Sequence, residues 1–190
     1  MYYEDAKHIA DGLVELLAPS CARIEIAGGV RRKKESPHDI EIVCIPSPGN
    51  PRPEFGDKRT YRTYLDKALV FLEDDRVLPL KVKGGDKYKQ YHINTDRFGV
   101  KLFIPFALDL FIVRPETWGV LFTIRTGPHT FSRQIVTPKS LGGLLPDGYK
   151  VKDGRVWHAD DPLDTPIDLP EEQDFFDFLG IPWIAPEKRQ

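Results

Sequence analysis

Gly28-Gly29-Val30-Arg31-Arg32-Lys33-Lys34-Glu35-Ser36-Pro37-His38-Asp39-Ile40-Glu41-Ile42 joins a glycine turn, a basic run and two carboxylates spaced two apart. Side chains alternate between the faces of a strand, so Asp39 and Glu41 leave one face while Ile40 and Ile42 enter the core. Like charges side by side repel, and a chain gains by keeping them together when a cation sits between them. Upstream, Arg23 to Ala27 alternates as a strand, Gly28-Gly29 breaks it, and Val30 to Glu35 is predicted to open a short helix. Glycines at such a turn let the main chain approach an anion closely and turn N–H groups toward it. Alone, an acidic-x-acidic pair is more often a solvated sheet face, and Gly-Gly more often a plain turn. The signal lies in their coincidence with Arg31, Arg32, Lys33 and Lys34.

A third carboxylate fits the same pattern. Ala107-Leu108-Asp109-Leu110-Phe111-Ile112 is an apolar strand interrupted by Asp109, and a carboxylate there is costly to desolvate unless paired or metal-bound. If the two strands are neighbours, Asp39, Glu41 and Asp109 form an oxygen-rich cluster suited to Mg²⁺ or Mn²⁺.

Outward from these strands, Ile9, Leu13, Leu16 and Leu17 mark a helix over residues 3–17, ended by Pro19. Pro46 to Lys58 reads as a loop, and Tyr61 to Leu72 returns to helical spacing. Strands are predicted at Val77 to Val82, Tyr88 to Ile93, Val100 to Ile104 and Leu108 to Val113, with a turn at Asn94 to Phe98. Helices follow at Thr117 to Ile124 and Thr130 to Val136. Short strands and turns run from Leu145 to a final helix near Glu171 to Leu179. Helices and strands mix without strict βαβ alternation, so the fold class is α+β with a mixed β-sheet flanked by helices. Lys81, Lys83, Lys87 and Lys89 alternate and are expected to share one face, as a template contact or as lysines guarding an edge strand.

The net charge of −2 hides an asymmetry: residues 1–144 carry 22 Lys and Arg against 18 Asp and Glu, whereas residues 145–190 carry 5 against 11. A basic body with an acidic C-terminal lobe suits a phosphate backbone on one side only. Lys101, Pro105 and Asp109 break the longest apolar stretch, so no membrane span is expected. No basic flank precedes an apolar segment at the N-terminus, and Cys21 and Cys44 read as reduced core thiols. An intracellular protein is the expectation.

The Gly28 to Ile42 stretch resembles, without a gap, the nucleotidyltransferase signature of family X DNA polymerases: a glycine pair, an Arg-Arg pair, then an acidic-x-acidic strand. Leu108-Asp109-Leu110 looks like the strand holding that family's third metal ligand. Trp118-Gly119, Thr126-Gly127 and Phe131-Ser132-Arg133 resemble its helix and Thr-Gly turn beside the nucleotide. Phe175 to Arg189 resembles the end of its thumb. The resemblance covers nearly the whole chain, as the minimal palm-plus-thumb form, with a palm over residues 1–115 and a small C-terminal thumb over 116–190. The resemblance implies no counterpart here to the lyase and DNA-binding domains of larger members.

That resemblance implies two Mg²⁺ ions, or Mn²⁺, held by Asp39, Glu41 and Asp109. It implies nucleoside-triphosphate contacts from Gly28, Gly29, Arg32, Arg125, Thr126, Gly127 and Ser132, and DNA contacts from Lys83, Lys87, Lys89 and Arg133. The implied partners are primer–template or gapped DNA and a nucleoside triphosphate. The implied enzyme is a monomer, with or without a repair partner protein. Three departures stand out: Ile124-Arg125 replaces an aromatic pair that packs on the sugar, Val136 replaces an arginine facing the template, and Gly29 lacks a hydroxyl often used on the γ-phosphate. The expected activity is templated DNA synthesis in short-gap repair. A template-independent or small-substrate nucleotidyltransferase and a non-enzymatic DNA-binding scaffold subunit are the alternatives.

Overall fold

The computed structural model describes residues 1–52, 59–102, 104–160 and 165–189. The loop predicted at Pro46 to Lys58 and the strand predicted at Val100 to Ile104 lie partly outside those residues. The chain divides into two compact units, one of Met1–Val30 with Lys34–Ile112 and one of Arg31–Lys33 with Val113–Gln190.

In the first unit, α1 (Tyr3–Leu17) buries Ala6, Ile9, Ala10, Leu13 and Leu17, a stripe at helical spacing. Pro19 then tightens the chain into a 3₁₀ turn over Ala18–Ser20. Strand β1 (Cys21–Ile26), the single-turn helix α2 (Gly28–Arg31) and β2 (Asp39–Pro46) follow. Helix α3 (Tyr64–Asp74) is capped by Thr63, whose hydroxyl accepts from the Asp66 N–H at 3.0 Å. Strands β3 (Leu80–Gly84), β4 (Tyr88–Ile93) and β5 (Phe106–Ile112) complete the set. Their order is β1-β2-β5-β4-β3, with β2 and β5 parallel and the other neighbours antiparallel. This is the expected α+β fold with a mixed sheet. Ile40, Ile42, Cys44, Leu108 and Leu110 meet Ile9, Leu13, Leu65 and Leu69 in one core. The helices therefore cover one face, and Asp39, Glu41 and Asp109 emerge on the other.

One predicted strand starts late, and the described residues of the strand predicted at Val100 to Ile104 form none. The N–H groups of Val77 and Leu78 bond back to the Leu72 carbonyl, closing the end of α3, so the strand begins only at Leu80. The Val100 N–H bonds the Thr95 carbonyl at 3.1 Å, so Val100 finishes a turn and forms no ladder. Cys44 is buried and Cys21 half-buried, both as free thiols. Among the described residues no helix is long and apolar enough to cross a membrane.

In the second unit, α4 (Trp118–Thr126), α5 (His129–Val136) and α6 (Glu172–Leu179) pack with a small antiparallel sheet. Its strands are β6 (Tyr149–Lys152), β7 (Arg155–His158) and β8 (Pro166–Ile167). Val120, Phe131, Ile135, Val156, Phe175, Phe176 and Leu179 fill the core. Gly119 lets α4 approach the start of α6, since a Cβ there would overlap the carbonyl oxygens of Leu169 and Glu171. Those are backbone atoms and cannot swing aside. Gly119→Ala is expected to destabilise the second unit by about 1–3 kcal/mol, measured as a lower urea midpoint at unchanged slope.

Candidate active site

The parallel β2–β5 register places Asp39 opposite Ala107 and Glu41 opposite Asp109. Alternation then puts all three carboxylates on the face away from α1 and α3. Antiparallel β4 continues the row with Gln90 opposite Asp109, and Lys83 of β3 lies opposite Gln90. Glu41, Asp109, Gln90 and Lys83 thus form one line across four strands.

Glu41 and Asp109 have distinct surroundings. The Glu41 carboxylate lies over Gly28, where a Cβ would overlap its Oε2. Gly28 has φ +59°, a conformation that favours glycine, and the Ala27 N–H bonds the Glu41 carbonyl at 2.8 Å to fix the two backbones together. The glycine turn and the acidic strand are therefore one piece of construction. Asp109 Oδ1 accepts from the Tyr88 hydroxyl at 2.8 Å and from the Gln90 amide at 2.7 Å. The reading from sequence did not single out Tyr88 or Gln90. Their signal is an alternation, Tyr88-x-Gln90, that gains meaning only once β4 is known to flank β5.

Among the described residues, no three His, Cys, Asp or Glu side chains converge into a ready-made metal cage. Asp109 is drawn toward β4 and Glu41 toward Gly28. The donor set fits Mg²⁺ in chemistry nonetheless: hard carboxylate oxygens, two of them at directly opposed strand positions.

The four lysines do not share a face. Lys89 is opposite Leu110 on the helix-covered side, where it pairs with Asp66 of α3 at 3.3 Å and keeps only 13% side-chain exposure. Lys81 pairs with Glu73 of α3 at 2.6 Å. A register shift between Lys81 and Lys83 turns Lys83 to the other side, with its Nζ 5.5 Å from the Tyr88 ring. Lys87 precedes β4, and its carbonyl accepts from the Ile112 N–H at 3.0 Å. Lys83, unlike Lys89, falls on the face of the sheet that carries Asp109.

The remaining candidates belong to the second unit. Arg31 is an anchor: it meets Glu172 with both terminal nitrogens, at 2.9 and 3.0 Å, and donates to the Thr126 hydroxyl at 2.6 Å. Arg32 donates to the Thr126 carbonyl at 2.7 Å. Thr126 is fully buried, and the Ser132 hydroxyl donates to the Ile124 carbonyl at 2.6 Å. Gly127 permits the tight passage into α5, since a Cβ there would sit 2.5 Å from a Phe131 ring carbon. Arg125 is half-buried on α4, and Arg133 is exposed on α5.

Glu172 also accepts from Arg189 at 2.8 Å and from the Trp183 indole at 3.0 Å. Burial opposes its ionisation, but the hydrogen bonds and charges of Arg31 and Arg189 outweigh burial and hold the carboxyl down at about 2.

The sheet is thus mixed and helix-backed, with the three carboxylates on its far face. The chain is similar in structure to polymerase beta of Leishmania infantum, solved as a ternary P/T complex. The match has a TM-score of 0.72 and 16% sequence identity, over 100% of this chain and 76% of that one. At that identity the likeness establishes the fold. No family profile matches the sequence, and no curated protein matches it.

Gly28→Ala is expected to press on the Glu41 carboxylate and to strain a backbone held at φ +59°, lowering the stability of the first unit by about 1–3 kcal/mol, read as a lower urea midpoint on protein whose circular dichroism is unchanged. Because Glu172 has a lowered carboxyl in the folded state, its contribution is present above the unfolded value of 4.5 and is lost as pH falls toward about 2. Wild type is expected to exceed Glu172→Gln in stability by on the order of 3 kcal/mol at neutral pH. Urea titrations should show that gap closing between pH 5 and pH 2.

Proposed function

We propose that the chain is a DNA-directed DNA polymerase of the X type that adds nucleotides to a primer 3′-hydroxyl in short-gap repair. The observation that carries this reading is the direct opposition of Glu41 and Asp109 on the two central parallel strands, with Asp39 on the same face. The motif resemblance and the polymerase beta-like fold support it from two sides.

In this reading Asp39, Glu41 and Asp109 hold two Mg²⁺ ions, with Mn²⁺ as a substitute. Bound there, the cations supply charge against the triphosphate and lower the pKa of the primer hydroxyl. Asp109 is assigned to the primer side. The primer hydroxyl gives up its proton to solvent, and its oxygen bonds the α-phosphorus as the bond to the bridging oxygen of the β-phosphate breaks and pyrophosphate leaves. The main chain of Gly28-Gly29 and the guanidinium of Arg32 steady the β- and γ-phosphates. Arg32 also donates to the Thr126 carbonyl, which steadies the side chain. Thr126, Gly127, Ser132 and Arg125 belong to the same nucleotide-binding assignment, in which Thr126 acts by holding Arg31 and Arg32 in place. Lys83, Lys87 and Arg133 are assigned to DNA.

A template-independent or small-substrate nucleotidyltransferase is the second reading, favoured by the acidic stretch over residues 145–190, with 11 Asp and Glu against 5 Lys and Arg. Primer extension with Mg²⁺ or Mn²⁺ separates the two, using gapped duplex, blunt duplex and single strand with dNTPs or NTPs. Templated dNTP addition across the gap is expected, falling by at least about 100-fold in Asp109→Asn. Addition independent of template would replace the first reading with the second. Full activity in Asp109→Asn would remove the site assignment.

A further inference from the structure

Tyr88 and Gln90 place two donors on a single oxygen of Asp109. The Tyr88 hydroxyl reaches Oδ1 at 2.8 Å and the Gln90 Nε2 reaches the same Oδ1 at 2.7 Å. We propose that this pair forms the positioning device for Asp109, holding one carboxylate oxygen on β4 so that the other is presented to a divalent cation. The proposal rests on the reading of Asp39, Glu41 and Asp109 as cation ligands.

The geometry of β4 explains why these two residues act together. Gln90 stands directly opposite Asp109, and Tyr88 is its neighbour on the same face, opposite Phe111. The Tyr88 ring stacks on Phe111 with centroids 5.1 Å apart and planes 24° apart, which sets the direction of its hydroxyl. A carboxylate only accepts hydrogen bonds when ionised, so the Gln90 amide must present nitrogen, not oxygen, to it. With Oδ1 tied to β4, Asp109 has one oxygen left to turn toward a cation shared with Glu41, its neighbour on β2.

The device also meets an electrostatic need. Glu41 and Asp109 face the same way from adjacent strands, about 5 Å apart along the ladder direction. Two hydrogen-bond donors on Asp109 offset part of that repulsion before any cation arrives. The side chain is then fixed in advance, and cation binding does not have to order it.

Two substitutions isolate the donors. Tyr88→Phe removes the hydroxyl and keeps the ring on Phe111. Gln90→Met keeps the length and removes the amide. Mn²⁺ affinity of the full chain, read by electron paramagnetic resonance without nucleotide, is expected to fall roughly tenfold in each. In the double variant it is expected to fall toward 100-fold, the thermal midpoint remaining near that of wild type. Raised Mn²⁺ should restore much of the primer-extension rate to Tyr88→Phe.

Unchanged Mn²⁺ affinity in both folded single variants would overturn the proposal, as would wild-type protein that binds no Mn²⁺. The two readings separate cleanly. Wild-type protein whose Mn²⁺ affinity depends on Tyr88 and Gln90 but which transfers no nucleotide to any acceptor leaves this proposal standing and removes the polymerase reading. An active wild type with insensitive variants does the reverse.

Discussion

Two carboxylates standing opposite each other on the central strands of a sheet are the constraint around which the first unit is organised. Glu41 and Asp109 occupy one register position of a parallel pair, where side chains are close and like charges oppose each other. Nothing in sheet packing rewards that arrangement. What makes it tolerable is the rest of the unit: an apolar layer behind it, a glycine beneath one carboxylate and two donors beside the other.

The apolar layer sets the orientation. Ile40 and Ile42 on β2, with Leu108 and Leu110 on β5, are fully buried against α1 and α3. A slip of one residue in either strand would bring charge into that core and apolar side chains out of it. Strong burial on one face therefore holds the carboxylates in place on the other. Lys89 shows the same rule working against a simple charge count. It falls on the buried side by alternation and is compensated there by Asp66.

The second unit is held by an ionic knot of a different kind. Glu172 gathers Arg31, Arg189 and Trp183, while Arg31 also grips Thr126 and lies with its guanidinium 4.0 Å from the centre of the Phe122 ring. Of the two adjacent arginines in the basic run, Arg31 is thus committed to structure. Arg32 reaches the Thr126 carbonyl from the next position. Arg31 ends the single-turn helix and Arg32 follows in the turn, so the two side chains reach Thr126 at different atoms, its hydroxyl and its carbonyl.

Much of this architecture was legible in the residues alone. Helical spacing over 3–17, alternation at Asp39 to Pro46 and at Tyr88 to Ile93, and the interruption of an apolar strand by Asp109 depend on local periodicity, which the chain carries within a few residues. The common face of Asp39 and Glu41 follows from a period of two and needs no fold. Only tertiary structure decided which strands are neighbours. It put β5 between β2 and β4, bringing Asp109 beside Glu41 and giving it Tyr88 and Gln90. It also inserted the register shift that parts Lys83 from Lys81, and set the Glu41 carboxylate over Gly28. Those are contacts between residues far apart along the chain, selected by burying the largest apolar area at once, and no local pattern records them.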